Sequence, residues 1–306
     1  MKKFDLSKYK ESIEITDVPL KKDLYVEVND ALKAVLGLPG IPVGHITQIF
    51  GMSDTGKTSL LFHIAAEAQK QDILPVMIIT EGKVDWNRAK AMGFDKDSAI
   101  VNEDVEFLED AFNFIDKITS DVSMGELPHD VMILWDSIGN TLSKDEVEKK
   151  EDGTWEKKST MMKAAKVISE RMRITSKKIN DTRKISYPKG VGLVVLNQAY
   201  TQPPQFPGGP SSTVPYGGNA VWFRSSLVIK TSRSKKLTAT KDGKDLTFGI
   251  VSKISVDKNH ISSVANKGDF VITSDSIFPN EPGAIKEYKD SHKNTWGEEL
   301  DLKEDD

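Results

Sequence analysis

Cysteine is absent from the 306 residues. That excludes a disulfide framework, a thiolate nucleophile and a cysteine-ligated zinc. Histidine is scarce, with five residues scattered singly, which argues against a histidine-built metal site. No apolar run approaches the roughly 20 residues that cross a bilayer as a helix. The opening MKKFDLSKYKESIEI lacks the apolar stretch of a signal peptide. The expectation is a cytoplasmic protein with no membrane partner. An excess of positive charge is also missing: 42 Lys and Arg against 46 Asp and Glu leave a net charge of −4. This excludes a chain coated in basic surface but allows local DNA-binding loops, because net charge averages over the molecule.

What is present is ordinary for a globular chain: 38% hydrophobic and 29% charged residues. Short apolar runs at 46–50, 76–80 (VMIIT), 131–135 (VMILW), 191–196 (VGLVVL) and 227–231 (LVIKT) read as buried strands. Helical stretches at 59–70, 84–92, 105–118 and 159–180 alternate with them. Near-continuous apolar strands alternating with helices predict an α/β fold: a mostly parallel twisted sheet covered on both faces. Runs at 246–256 and 270–277 have no helix between them and predict an antiparallel extension. Residues 1–24 read as an N-terminal arm and possible subunit contact, 25–280 as the core, and 281–306 as a polar tail. That tail carries six acids against one lysine from Glu298 onward.

The sharpest motif is Gly51-Met52-Ser53-Asp54-Thr55-Gly56-Lys57-Thr58, with Ser59 opening the helix that follows. It fits G-x-x-x-x-G-K-[ST] between an apolar strand and an amphipathic helix, the context that a phosphate-binding loop requires. Gly51 and Gly56 permit backbone angles that other residues resist. The loop turns its N–H groups around a phosphate, and the helix end adds positive potential. Lys57 supplies a charge for the β- and γ-phosphates and the Thr58 hydroxyl a ligand for Mg²⁺. The motif therefore points to the phosphates of a nucleotide with Mg²⁺. Asp136 closes the run VMILWD at a strand end, where it reads as a second metal-holding group or as a cap for the turn that follows. Glu81, after VMIIT, reads equally as a water-polarising carboxylate or a surface residue of EGKVD. Asn197-Gln198 ends VGLVVL, where an amide can touch a γ-phosphate and move when it leaves. Residues 199–218, AYTQPPQFPGGPSSTVPYGG, hold five prolines, four glycines, three aromatics and no acid. They read as a long mobile loop whose aromatics stack nucleic-acid bases, or as a plain surface linker.

In this order and with these neighbours, the motifs resemble the RecA family of recombination ATPases, most closely its phage UvsX-type branch. The resemblance runs from about Tyr25 to about Ile277. LPGIPVGHITQIFG looks like the family's lead-in to the phosphate loop, and Asp136-Ser-Ile-Gly-Asn140 like its metal-aspartate segment. Gly217-Gly218-Asn219-Ala-Val-Trp-Phe-Arg-Ser-Ser226 looks like the segment that ends the second DNA-binding loop.

By this resemblance Glu81, Lys57 and Gln198 are catalytic. Tyr200, Phe206, Tyr216, Gly217, Gly218 and Asn219 would touch DNA. Residues 142–159 would be the first DNA loop; which of Lys149, Lys150, Lys157 and Lys158 touches phosphate is open, and each also reads as solvated surface. Lys258 and His260 would reach ATP across a subunit boundary. His260 stands where bacterial relatives carry lysine, which weakens that charge near neutral pH. No adenine-stacking tyrosine is matched near Glu81, and Trp86 or Arg88 would stand in.

The implied protein is a DNA-dependent ATPase that forms helical filaments on single-stranded DNA and pairs it with double-stranded DNA. Its further partners would be single-strand-binding and mediator proteins, in the host cytoplasm if phage-encoded. The alternative is a ring-shaped motor or helicase on the same core, or a regulatory ATP-binding protein.

Overall fold

The computed structural model describes residues 18–292, apart from 83, 150–154, 158–160, 204, 205, 207, 208, 210, 217, 218, 242 and 243. A small antiparallel pair, β1 (Tyr25–Glu27) and β2 (Gly40–Pro42), flanks α1 (Asp30–Leu36) and leads into the main sheet. The alternating region runs β3 (Ile46–Gly51), α2 (Lys57–Lys70), β4 (Ile73–Ile79), α3 (Trp86–Ala91), β5 (Ile100–Asn102), α4 (Leu108–Met124) and β6 (Asp130–Asp136). A short hairpin, β7 (Val147–Lys149) and β8 (Trp155–Lys157), precedes α5 (Met161–Asp181). Then come β9 (Val191–Gln202), β10 (Ser212–Pro215), α6 (Ala220–Arg224), β11 (Leu227–Lys241), β12 (Lys244–Asn259), β13 (Lys267–Thr273), β14 (Ile277–Pro279) and α7 (Pro282–Ser291).

The main sheet has the order β14-β13-β12-β11-β3-β9-β6-β4-β5, with β10 paired to β9. From β11 to β5 neighbouring strands are parallel. β12, β13 and β14 add antiparallel strands at one edge. This is the expected α/β sheet with an antiparallel extension. The strand period of two divides β4 between two cores. Met77 and Ile79 pack with Leu61 and Ile64 of α2 on one face. Val76 and Ile78 pack with Phe112 and Ile115 of α4 on the other. There Trp135 meets Phe112 edge-on, ring centres 5.3 Å apart. Burial on both faces explains why these runs read as continuous apolar stretches.

Three local readings change. The helix expected at 105–118 instead spans Leu108–Met124. Its last turns stay helical because Ile118 and Val122 are buried in the core, while Thr119 and Ser123 turn their hydroxyls back to the carbonyls of Ile115 and Thr119. The helix expected at 84–92 is trimmed to Trp86–Ala91, because Asp85 caps it through the N–H groups of Asn87 and Arg88. The stretch beyond 281, read as polar tail, forms α7 in its described part. Tyr288 is buried there against Phe278 and Phe248. Tertiary contact rather than a periodic apolar face holds this helix. Of the arm, residues 18–24 are described. Leu20 bridges to Lys184, and Lys21 N–H donates to the Arg183 carbonyl.

His45, just before β3, hydrogen-bonds Ser226 Oγ at 2.9 Å. Burial first, and then the nearby Arg183 charge, push its imidazole down to about 4. The folded state thus prefers neutral His45, and stability present above about pH 6.5 is lost as pH falls toward 4. We predict a loss of about 2 kcal/mol over that window, after allowing for partial exposure. Urea unfolding of parent and His45→Asn across pH 4–7 checks this; parallel curves refute it.

Candidate active site

β3 ends at Gly51, and the chain reverses into α2 through a loop with left-handed angles at Asp54 (φ 58°) and Gly56 (φ 86°). Gly51 is needed for closeness, since a Cβ there would lie 2.3 Å from the Thr231 carbonyl oxygen of β11. The loop is held from behind. Thr55 Oγ1 donates to the Met52 carbonyl at 2.9 Å and bonds Thr231 Oγ1 at 2.7 Å. Ser252 of β12 donates to the Thr55 carbonyl at 2.8 Å.

A cavity of about 690 Å³ opens over this loop, and residues 54–59 line one end of it. Gly51, Met52 and Ser53 belong to the loop without lining the cavity. The Lys57 ammonium donates to the Met52 carbonyl at 2.7 Å. Burial lowers its pKa, against the upward pull of Asp136, Glu81 and Asp54. A polyanion would remove that desolvation penalty, so the donor set fits a phosphate chain.

Asp136 ends β6 and accepts from Thr58 Oγ1 at 2.9 Å. Burial, and next the Glu81 charge, raise its pKa to about 6, while the Thr58 bond and Lys57 oppose this. Among the described residues no group of three or more His, Asp or Glu forms a metal cage. Thr58 and Asp136 therefore fit a hard cation whose other ligands are water and phosphate oxygens, the usual habit of Mg²⁺.

Glu81, just past β4, stands one strand over. Its Oε1 accepts from Ser137 Oγ at 2.6 Å, Asn140 Nδ2 at 2.5 Å and Gln198 Nε2 at 3.2 Å. The sequence reading named Glu81 and Gln198 separately; the structure joins them. It missed Ser137 and Asn140 as clamps. The available signal was their place directly after a strand-end aspartate. Thr80 supports the same turn, its hydroxyl donating to the Ser137 carbonyl at 3.0 Å.

Beyond Gln198 the expectation of a mobile loop over 199–218 needs correction. β9 continues to Gln202 and pairs with β10, setting Tyr200 opposite Val214. Extended backbone and a cross-strand partner override the proline and glycine content at both flanks. Asn197 Nδ2 donates to the Tyr216 carbonyl at 2.9 Å, and Tyr216 N–H to the Gln198 carbonyl at 2.7 Å. Tyr200 and Tyr216 meet edge-on at 6.3 Å, and both rings are exposed, as is Phe206. Asn219 is exposed just ahead of α6. Gly217 and Gly218 lie outside the described residues, as do Lys150 and Lys158. Within 142–159, Lys149 and Lys157 sit on the β7–β8 hairpin.

Lys258 and His260 are not brought to this chain's own loop. Lys258 pairs across from Val228, which lies beside Gln48, three positions before Gly51 on β3. Its ammonium donates to the Trp222 and Phe223 carbonyls at 2.9 and 3.2 Å. His260 N–H bonds the Ser226 carbonyl at that same end. Of the two candidates for base stacking, Trp86 packs on Phe62 and Phe94, while Arg88 lines the cavity.

The raised pKa of Asp136 has a measurable sign. A carboxyl favoured as the neutral form in the fold gives stability that is full below about pH 4 and lost as pH rises through about 6. Metal-free Asp136→Asn should thus be more stable than the parent at pH 7 by about 2 kcal/mol, with the gap closing toward pH 4. Thermal unfolding at both pH values tests this; a pH-independent gap refutes it.

The comparisons with known proteins agree with this geometry. The RecA N-terminal domain matches residues 16–276. Protein RecA of Rickettsia massiliae is 32% identical over 241 residues, covering 79% of this chain and 63% of that protein. Protein RecA of Aquifex pyrophilus is 28% identical over 259 residues, covering 83% of this chain and 67% of that protein. The chain thus spans under two thirds of the length of its Rickettsia relative. With a phosphate loop at a parallel-strand end and a family domain matching most of its length, this chain belongs to the RecA family.

Proposed function

We propose that this protein is an ATP-dependent recombinase of the UvsX-like type, forming helical filaments on single-stranded DNA and promoting pairing and strand exchange with double-stranded DNA. The observation that carries the reading is the chain of contacts from the phosphate loop to the aromatic hairpin. Thr58 bonds Asp136, the adjoining Ser137 bonds Glu81, Glu81 accepts from Gln198, and the Gln198 carbonyl accepts from Tyr216 N–H.

The residues act as follows. The loop amides of 54–59 and Lys57 bind the triphosphate. Thr58 and Asp136 hold the magnesium ion, which supplies charge neutralisation of the phosphates when bound. Glu81 orients and deprotonates the attacking water, its carboxylate fixed by Ser137 and Asn140. Gln198 exchanges its Glu81 bond for a γ-phosphate contact, and that shift moves β9–β10. Tyr200, Tyr216 and Phe206 stack on bases of the bound strand, with Gly217, Gly218 and Asn219 against its backbone. Lys258 and His260 reach the nucleotide of an adjacent subunit. A head-to-tail contact of that kind, if it does not close, gives a filament. ATP stabilises the DNA-binding state by binding it better. Single-strand-binding and mediator proteins in a host cytoplasm are the expected partners. Among the described residues no helix is long and apolar enough to cross a membrane.

The reading is tested by measuring single-strand-dependent ATP hydrolysis and D-loop formation together, with electron microscopy of the assembly. Open helical filaments and D-loops support it; closed rings that hydrolyse ATP without D-loops overturn it. Glu81→Gln should retain ATP binding and lower turnover roughly 10²-fold. Unchanged turnover removes Glu81 from the chemistry. Deleting residues 202–213 should abolish DNA binding while sparing ATP binding; normal DNA affinity refutes the hairpin's role.

A further inference from the structure

The two carboxylate oxygens of Glu81 are treated unequally. Oε1 accepts from Asn140 Nδ2 at 2.5 Å, Ser137 Oγ at 2.6 Å and Gln198 Nε2 at 3.2 Å. Oε2 accepts no hydrogen bond among the described residues. A carboxylate oxygen offers about two lone-pair sites, so the third and longest contact adds least. Gln198 is therefore the donor that can leave Oε1 without releasing the carboxylate.

The two short donors stand on a turn that is pinned on several sides. Thr141 Oγ1 lies 2.8 Å from both the Thr80 hydroxyl and the Ser137 carbonyl. Ser137 N–H donates to Thr80 Oγ1 at 3.1 Å. Gly139 lies against β9, where a Cβ would come within 2.6 Å of Asn197 Oδ1. Leu142 follows and bridges to Phe107, its carbonyl accepting from Leu108 N–H at 2.8 Å. The turn is thus tied to the end of β4, to β9 and to α4 before the chain reaches the β7–β8 hairpin. Asn140 is exposed, and among the described residues its amide bonds Glu81 alone. Gln198 stands where β9 runs on toward β10, its carbonyl holding Tyr216 N–H.

We propose that Asn140 is a positioning residue for ATP hydrolysis: it pins Oε1 of Glu81 so that Oε2 meets the attacking water, while Gln198 alone carries the nucleotide signal to the β9–β10 hairpin. The assignment rests on the reading of Glu81 as the base and deepens it. The water gives a proton to Oε2, its oxygen bonds the γ-phosphorus, and the bridging bond breaks with its electron pair left on ADP. Asn140 keeps its bond when Gln198 departs, so the base holds its aim through the switch. A base turned by a small angle misses the water, and such misplacement lowers the rate without weakening ground-state binding.

Steady-state hydrolysis by the full chain on saturating single-stranded DNA, paired with DNA affinity measured in a non-hydrolysable ATP analogue, tests this. Asn140→Ala should lower kcat about tenfold, hold the KM for ATP within about twofold, and leave analogue-dependent DNA affinity at the parent's level. A broken turn would not give that split. Gln198→Ala should instead lose the analogue's effect on DNA affinity. Asn140→Asp keeps the side chain's shape but replaces the donor with a second negative charge, so kcat should fall at least as far. Parent turnover in Asn140→Asp, the result for a side chain that merely fills the turn, overturns the proposal. So does faster hydrolysis or lost analogue-dependent DNA binding in Asn140→Ala, or a retained analogue effect in Gln198→Ala. Unchanged turnover in Glu81→Gln overturns the reading of Glu81 as the base, a result distinct from these.

Discussion

One carboxylate oxygen, Oε1 of Glu81, gathers donors from a serine and an asparagine in the turn after β6 and a glutamine within β9. The site depends on this convergence. β4, β6 and β9 are neighbours in register, so their carboxyl ends reach the same level of the sheet. Parallel strands leave their ends in one crevice, and side chains distant in sequence meet there. Glu81 therefore fixes the turn after β6 and the continuation of β9 together.

The same crevice holds charges at a cost. Asp136 and Lys57 are both shifted toward their neutral forms by burial, and each partly relieves the other. The Thr58 hydroxyl and the Met52 carbonyl satisfy them without neutralising them. Such a site is strained toward any ligand that brings compensating charge, and a phosphate chain with a divalent cation does so. Stability is given up locally so that binding can restore it, a common arrangement where perturbed groups cluster in a cleft. The surrounding cores meet this cost, because strands buried on both faces remove large apolar area from water.

Much of the fold was legible because both-face burial writes itself into sequence as uninterrupted apolar runs. The phosphate loop was legible because its glycines, lysine and threonine serve a local geometry. Other features left weaker traces. Ser137 and Asn140 look like turn residues until β4 places Glu81 beside them. Trp86 and Arg88 sit two positions apart on one short helix, and neither type nor spacing says which faces the cavity. Tyr288 is a lone aromatic in a polar stretch, and its partners Phe248 and Phe278 lie in other strands.

Sequence alone determined the layered α/β architecture, the phosphate loop, and the strand ends at which Glu81 and Asp136 stand. These follow from short-range rules: the period of a strand, the backbone freedom of glycine, the charge of a lysine. Tertiary structure alone decided which of these groups share a hydrogen bond, that Lys258 lies level with Gln48 and bonds the Trp222 and Phe223 carbonyls, and that a helix from the polar C-terminal stretch braces the cavity wall. Those outcomes depend on strand order and register. Strand order and register bring together residues more than a hundred positions apart, which no local pattern encodes.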